Sequence, residues 1–235
     1  MLLTTTSSIE FLVYELEGNL NSSANKCVCR QKFTGNPLIQ QQDESYFDNV
    51  NPYGSRSCCD EGKRVADSLC YVYRQQHGTD VRVAHIFNAY GPSIPYFDGR
   101  VVSTFVAAAH AGKDLVITGD GTPSRCFQYV TDCVEGLMRP MALEYDGRTV
   151  NLGNDEECTI ERLAELVIEL VQKHSQSTDR LSRLGILRTR WMIHGRGNQI
   201  RALRKVARWH PTIDLIEGIE RTIDQFLVKD SIHTN

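Results

Sequence analysis

The 235-residue chain has no excess of positive charge: its formal net charge is -3. That argues against a dedicated nucleic-acid binder. It has no uninterrupted apolar run of about eighteen residues, the length that reads as a membrane-spanning helix. The opening stretch from Met1 to Ala24 has no basic leader and carries Glu10, Glu15 and Glu17, so it does not read as a secretory signal. Cysteine is present but badly spaced for metal. The eight cysteines include Cys27-Val-Cys29 and adjacent Cys58-Cys59, then Cys70, Cys126, Cys133 and Cys158 singly. With no Cys-x-x-Cys pair a zinc site is not expected, and they are too dilute for a disulfide scaffold. His85, His110 and His210 show no metal-ligand spacing. No G-x-x-G-x-x-G segment occurs, and Gly119-Asp-Gly121 lacks a third glycine at dinucleotide-binding spacing. What is present is globular, with 41% hydrophobic and 23% charged residues, enough apolar material for a sizeable core. A cytoplasmic protein of one large or two small domains is expected.

Along the chain, Leu2-Leu-Thr-Thr-Thr6 is β-prone. Residues 17–45 are rich in Asn, Ser and Gln and poor in apolar periodicity, which predicts a loop or disordered insert. Behind the Asn51-Pro-Tyr-Gly54 turn, Val65, Ala66, Leu69, Cys70 and Tyr73 recur at helical spacing and predict a helix over 55–76. Val81–Phe87 reads as a strand stopped by Tyr90-Gly91-Pro92. Residues 100–111 read as a helix closed by Gly112. Leu115–Ile117 and Phe127–Val130 read as strands, 131–143 as a helix and Thr149–Leu152 as a strand. Thr159 opens a helix whose face carries Ile160, Leu163, Ala164, Val167, Ile168 and Val171. Helical stretches follow near 199–208 and 214–227. Strands alternating with helices predict an α/β protein with parallel strands.

Four sets of residues invite a chemical reading. Lys63 lies one helical turn after Cys59, so the two share a face; the plainer alternative is a solvated helix lysine. Asn88 stands at the carboxyl end of a strand, where open α/β sheets place ligands, or it is a polar strand end bonding its own turn. Arg100 and Arg125 suit a diphosphate fork, or are surface charge. The basic tail (Arg180, Arg183, Arg188, Arg190, Arg196, Arg201, Arg204, Lys205, Arg208) can dock an anion or form a solvated face. With only Trp191 and Trp209 interleaved, RNA binding is not expected.

Several segments together resemble a known family. Asn49-Val-Asn-Pro52, Cys59-Asp-Glu-Gly-Lys-Arg64, Val81–Pro92, Asp98-Gly-Arg-Val-Val-Ser103, Ser124-Arg-Cys-Phe-Gln-Tyr-Val130 and Val150-Asn-Leu-Gly-Asn154 look like UDP-glucuronate decarboxylase, an extended short-chain dehydrogenase/reductase. Trp209-His-Pro-Thr-Ile-Asp-Leu-Ile-Glu-Gly218 resembles the family's closing segment. The likeness is dense over 46–174 and returns over 196–228. It implies the C-terminal part of a Rossmann-type parallel sheet with a smaller substrate-binding lobe from about residue 92. It divides the chain into a divergent segment, 1–45, with one family-like strand at 2–8, and a nucleotide-sugar-binding part, 46–230.

The resemblance also implies a carboxy-lyase reaction. NAD takes a hydride from C4 of UDP-glucuronate, the β-keto acid loses carbon dioxide, and hydride return gives UDP-xylose. By position, Thr6, Cys59, Lys63 and Arg196 fall at catalytic sites. Lys63, Ala89 and Arg100 fall at cofactor sites, and Asn88, Val102 and Arg125 at substrate sites; no metal is implied. A homodimer binding UDP-glucuronate or another UDP-sugar is the expected state, in the cytoplasm or, with an anchor, the Golgi lumen.

The sequence departs from the family at telling positions. Cys59 stands where the family has its catalytic tyrosine, and Ser8 where it has a glutamate. His85 and Ala89 replace an arginine and a threonine. A thiol has a reference pKa of about 8.5, yet its sulfur falls short of a phenol oxygen, and a general base needs reach before it needs the right pKa. Decarboxylation impaired in this chain is therefore the expectation. The alternatives are a non-catalytic UDP-sugar-binding or subunit-interaction relative, and a related epimerase or dehydratase.

Overall fold

The structure, a computed structural model, describes residues 26–31, 43–47, 49–54, 57–92, 94, 99–142, 149–174, 185–189 and 209–233. The strand at 2–8 with Thr6 and Ser8, the helix near 199–208, and Arg196 lie outside the described residues. The chain is α/β and divides into two compact units. Unit 1 takes Met1–Phe87, Val134–Leu152 and Asn198–His210; unit 2 takes Asn88–Cys133, Gly153–Gly197 and Pro211–Asn235.

In unit 1, β1 (Lys26–Gln31), β2 (Val81–Ile86) and β7 (Val150–Leu152) form a parallel sheet with β2 in the centre. Helix α1 (Ser57–His77) joins β1 to β2, the long crossover that parallel strands require. A central parallel strand is covered on both faces, and Val81 through His85 are all buried. Two of those residues are polar and pair accordingly. Arg82 Nη2 donates to Asp80 Oδ2 at 2.8 Å, and His85 Nε2 meets Asp67 Oδ2 of α1 at 3.1 Å.

β1 corrects the expectation of a loop over 17–45. Lys26-Cys-Val-Cys-Arg-Gln31 has too little apolar material to announce itself, and its strand state comes from six paired residues along β2. The α1 stripe is also corrected. Cys70 is buried but Val65 is 49% exposed, while Asp60 is only 3% exposed. The inward stripe runs Asp60, Lys63, Asp67, Cys70, a three-four spacing that carries charge where an apolar face was expected.

In unit 2, helices α2 (Val101–His110), α4 (Ile160–His174) and α5 (Leu215–His233) pack around one core with strand β4 (Leu115–Thr118). α2 ends as Gly112 predicts. Gly112 adopts φ 65, its N–H donates to Ala109 O, and Lys113 N–H donates to Ala108 O. This is the paired closure that needs a left-handed residue. α4 starts where Thr159 Oγ1 accepts from Arg162 N at 3.1 Å. Its buried face adds Leu166 and Leu170 to the expected Leu163, Ala164, Val167 and Val171.

The strand expected over Phe127–Val130 is replaced by two short strands and a helix start. β5 (Ser124–Cys126) runs antiparallel to β8 (Glu157–Thr159), β6 (Gln128–Tyr129) runs parallel to β3 (Ala89–Tyr90), and α3 (Val130–Ala142) begins immediately afterwards. The break falls at Phe127 because the residues on either side have different partners. β9 (Ile186–Thr189) pairs parallel with β4, and like β3 and β8 it was not expected.

Candidate functional site

The candidate residues fall into two groups, one in each unit. In unit 1, Lys63 sits on the α1 stripe that faces β2, flanked by buried Asp60 and by Asp67, which holds His85. Lys63 is itself half-buried and engaged in a polar contact. The helix places the Cα of Cys59 one turn before it, the shared-face arrangement that the spacing implies.

In unit 2, the chain leaving β2 turns sharply. Asn88 has φ 27, a left-handed conformation that asparagine tolerates better than most residues. Its Nδ2 donates to Cys126 O at 2.9 Å, and its carbonyl accepts from Gln128 N at 3.3 Å. Both bonds fasten Asn88 to the β5–β6 segment, so the turn is held by its own side chain. Arg100, exposed at the N-cap of α2, brings Nη1 to 3.4 Å from Ala89 O. Arg125, half-buried on β5, folds Nη1 back onto Ser124 O at 2.8 Å. Asn88, Ala89 and Arg100 are thus brought together, with Arg125 beside Cys126, the residue that Asn88 binds.

Val102 is placed differently. It is 3% exposed and belongs to the core of unit 2, so its side chain is closed to a ligand. What it retains is a main-chain N–H in the first turn of α2, where helices leave amides without intrahelical partners.

The sequence reading missed two residues here. Gln128 is 0% exposed, and neither its Nε2 nor its Oε1 has a hydrogen-bond partner. Each buried polar group left so costs about 1–3 kcal/mol. Its signal was a lone amide between Phe127 and Tyr129 in a period-two run. The second is Asp67, whose bond to His85 joins a helix residue to a strand residue eighteen positions on; no local pattern announces it. Among the described residues there is no metal-ligand cluster. Among the described residues, Cys58 is exposed and Cys70, Cys126, Cys133 and Cys158 are buried, none of the five in a disulfide. Burial pushes the Cys133 thiol up to about 11, so it stays protonated at neutral pH and no nucleophile lies there.

Residues 34–153 match the family described as NAD dependent epimerase/dehydratase. The chain belongs to that family. Among curated relatives, this epimerase/dehydratase chain is 42% identical over 206 residues to UDP-glucuronic acid decarboxylase 5 of Arabidopsis thaliana, spanning 86% of this chain and 57% of that protein. It is 40% identical over 198 residues to UDP-glucuronic acid decarboxylase 1 of Danio rerio, spanning 82% of this chain and 44% of that protein. The chain therefore covers about half the length of such relatives. Two solved epimerase/dehydratase structures share its fold. UDP-glucuronic acid 4-epimerase from Bacillus cereus, solved with UDP-glucuronic acid and NAD, gives a TM-score of 0.78 at 18% identity, covering 94% of this chain and 67% of that one. dTDP-glucose 4,6-dehydratase from Bacillus anthracis, solved with NAD, gives 0.75 at 18% identity, covering 97% and 67%. The Rossmann-type assignment agrees with the parallel β1-β2-β7 sheet. No helix among the described residues is long and apolar enough to cross a membrane.

Proposed function

We propose that this chain is a UDP-glucuronate decarboxylase-type protein that recognises a UDP-sugar through Asn88, Arg100 and Arg125 and is impaired in the decarboxylation itself. The observation that carries the recognition half is the fastened turn at Asn88, where a strained backbone and two hydrogen bonds hold a polar side chain at a strand end. Strain of this kind gathers at ligand sites. Arg100 and Arg125 supply guanidinium groups suited to a diphosphate. The 42% identity to a UDP-glucuronic acid decarboxylase supports glucuronate as the sugar.

The impaired half rests on Cys59. Lys63, one turn from Cys59 on α1, can hydrogen-bond a ribose hydroxyl. A cysteine side chain is shorter than a tyrosine's by a phenol ring, too short to reach where a tyrosine oxygen at the same position would take the proton of the sugar's C4 hydroxyl. By position in the sequence, Lys63, Ala89 and Arg100 are the residues that would hold an NAD. When bound, NAD supplies the hydride acceptor of the reaction. Thr6 and Arg196 complete the proposed catalytic set by position in the sequence.

Arg125→Ala should weaken UDP binding about tenfold or more, because losing a charge-assisted hydrogen bond costs roughly 1.5–3 kcal/mol. Titration calorimetry measures this, and unchanged affinity removes Arg125 from the site. In parallel, carbon dioxide release from UDP-glucuronate with added NAD should be near background. Brisk turnover by the unaltered chain overturns the impaired reading and makes Cys59 a working base.

The partner we propose is a second copy of the chain. On the outward side of α1, Val65, Tyr71 and Val72 are 49%, 66% and 38% exposed, an apolar patch on the helix that bears Lys63 and one that association would cover. Sedimentation velocity should give a dimer that Val72→Glu converts to monomer; a monomeric parent chain refutes it.

A further inference from the structure

The turn ahead of Arg125 carries a hydroxyl that the proposed reaction does not use. Of the chain's seven prolines only Pro123 follows a serine or threonine, and the run Thr122-Pro-Ser-Arg125 sets an arginine three residues after that threonine. Thr-Pro-x-Arg is the pattern that protein kinases of the cyclin-dependent class modify. Their cleft takes proline next to the acceptor because proline brings no main-chain N–H that needs a partner. The basic residue at the third position is held by charge-assisted hydrogen bonds. Thr122 is exposed, and Pro123, Ser124 and Arg125 are each half-buried. The strand they lead into is lightly tied, since β5 pairs with β8 over three residues. Small two-stranded pieces of this kind open locally most easily, which offers a kinase an extended segment.

The surroundings give a phosphate at Thr122 a consequence. The turn is shaped by Gly119 at φ 89 and Gly121 at φ 82. Asp120 closes it, its Oδ1 accepting from Thr122 N at 3.1 Å and from Thr122 Oγ1 at 2.8 Å. The carbonyls of Gly121 and Pro123 accept from Glu161 N and Ile160 N, each at 3.1 Å, so the turn is pinned on both sides of Thr122 to the start of α4. A phosphate ester at Oγ1 takes the hydroxyl donor from Asp120 and sets about two negative charges against its carboxylate. Glu157, which accepts from Ser124 Oγ, and Glu161, packed on Gly121, add negative charge from β8 and α4. Within Gly119–Arg125 the cation is Arg125, the residue assigned above to the diphosphate.

Resting on that assignment, we propose that Thr122 is a phosphorylation site for a protein kinase of the cyclin-dependent class and that its phosphate weakens nucleotide recognition. The γ-phosphoryl group of ATP passes to Thr122 Oγ1. The bond from the γ-phosphorus to the bridging oxygen breaks, the bond to Oγ1 forms, ADP leaves, and the hydroxyl proton goes to the kinase's catalytic carboxylate. Repelled by Asp120, the new dianion competes with the nucleotide diphosphate for the Arg125 guanidinium.

The full chain, incubated with a purified cyclin-dependent kinase and magnesium ATP and mapped by mass spectrometry, tests this. A phosphate should appear on Thr122. Pro123→Ala, which restores a main-chain N–H after the acceptor, should abolish it, and so should Thr122→Val, which keeps the shape of the side chain. The phosphorylated chain should bind UDP about threefold more weakly or worse by titration calorimetry, because the phosphate shares the charge of Arg125. Phosphatase treatment should restore the parent's affinity. Absence of phosphate from Thr122 overturns the proposal. If Arg125→Ala weakens UDP binding and the phosphorylated chain binds UDP as the parent does, this inference falls and the proposed function stands. If the parent binds no UDP, both fall.

Discussion

Asp132→Ala should destabilise the protein by about 3–4 kcal/mol, since each hydrogen bond to a charged group is worth roughly 1.5–3 kcal/mol and such terms overlap. Asp132 is 2% exposed near the start of α3. One carboxylate oxygen accepts from Thr212 N at 3.0 Å and Ile213 N at 2.9 Å, and the other from Thr212 Oγ1 at 2.8 Å. Those bonds fix the segment that leads into α5. Alanine leaves two main-chain N–H groups and a hydroxyl without their acceptor. Asp132→Asn should recover only part of the loss, because one of its two positions becomes an NH2 group facing donors. Urea denaturation of the three proteins checks the order Asp, Asn, Ala. An alanine variant within about 1 kcal/mol of the parent, the usual worth of a single neutral hydrogen bond, refutes this account of the segment.

Gly218→Ala is the second substitution with a large effect, and here the sign is contested by two forces. Glycine inside a helix is poorer than alanine by about 1 kcal/mol, so propensity alone favours the change. Space opposes it. A methyl at Gly218 overlaps the Tyr90 hydroxyl and comes within 2.9 Å of Tyr90 Cζ and 3.0 Å of Tyr129 Cδ2. Neither ring can withdraw easily. Tyr90 stands edge-on to Phe127 and Tyr129, at centroid distances of 6.4 and 5.8 Å, and is 3% exposed. Its hydroxyl lies 3.4 Å from Leu215 O, and burial drives its pKa far above the ordinary phenol value. Overpacking of this kind costs about 1–3 kcal/mol and occasionally more, which exceeds the propensity gain. The melting temperature should fall by several degrees, at roughly 2–4 °C per kcal/mol for a chain of this size. Tyr90→Phe in the same molecule removes the overlapping oxygen, so the double variant should be more stable than the sum of the single effects. Simple additivity, or a rise on Gly218→Ala alone, contradicts the packing described for α5.

The elements legible in the sequence were those whose causes are local. Thr159 and its apolar stripe announce α4, and Gly112 marks the end of α2 through the one conformation glycine adopts cheaply. What stayed hidden depends on partners far along the chain. β1 is a strand because β2 lies beside it, and the Phe127 break exists because β8 and β3 claim different neighbours. Charge misled the reading of α1, since Asp60 and Asp67 lie on the inward stripe while Val65 faces out. At the candidate site, Lys63, Asn88 and the arginines were visible as residue types in motifs. Gln128 showed only as an amide between Phe127 and Tyr129, because whether an amide is satisfied depends on its surroundings and not on spacing.

The interleaving of the two units has a consequence for how the protein is made. The unit 1 group around Gly136 and Leu152 includes Trp209, and the core of unit 2 includes Ile219, Ile223 and Phe226 of α5. Both units therefore draw on chain from Trp209 onward. With synthesis running from the N-terminus at about 5–20 residues per second, β6 emerges well ahead of the α5 helix that packs beside it. A stop codon ahead of Trp209 would leave neither unit whole, in contrast to a protein whose domains follow one another and survive truncation one at a time.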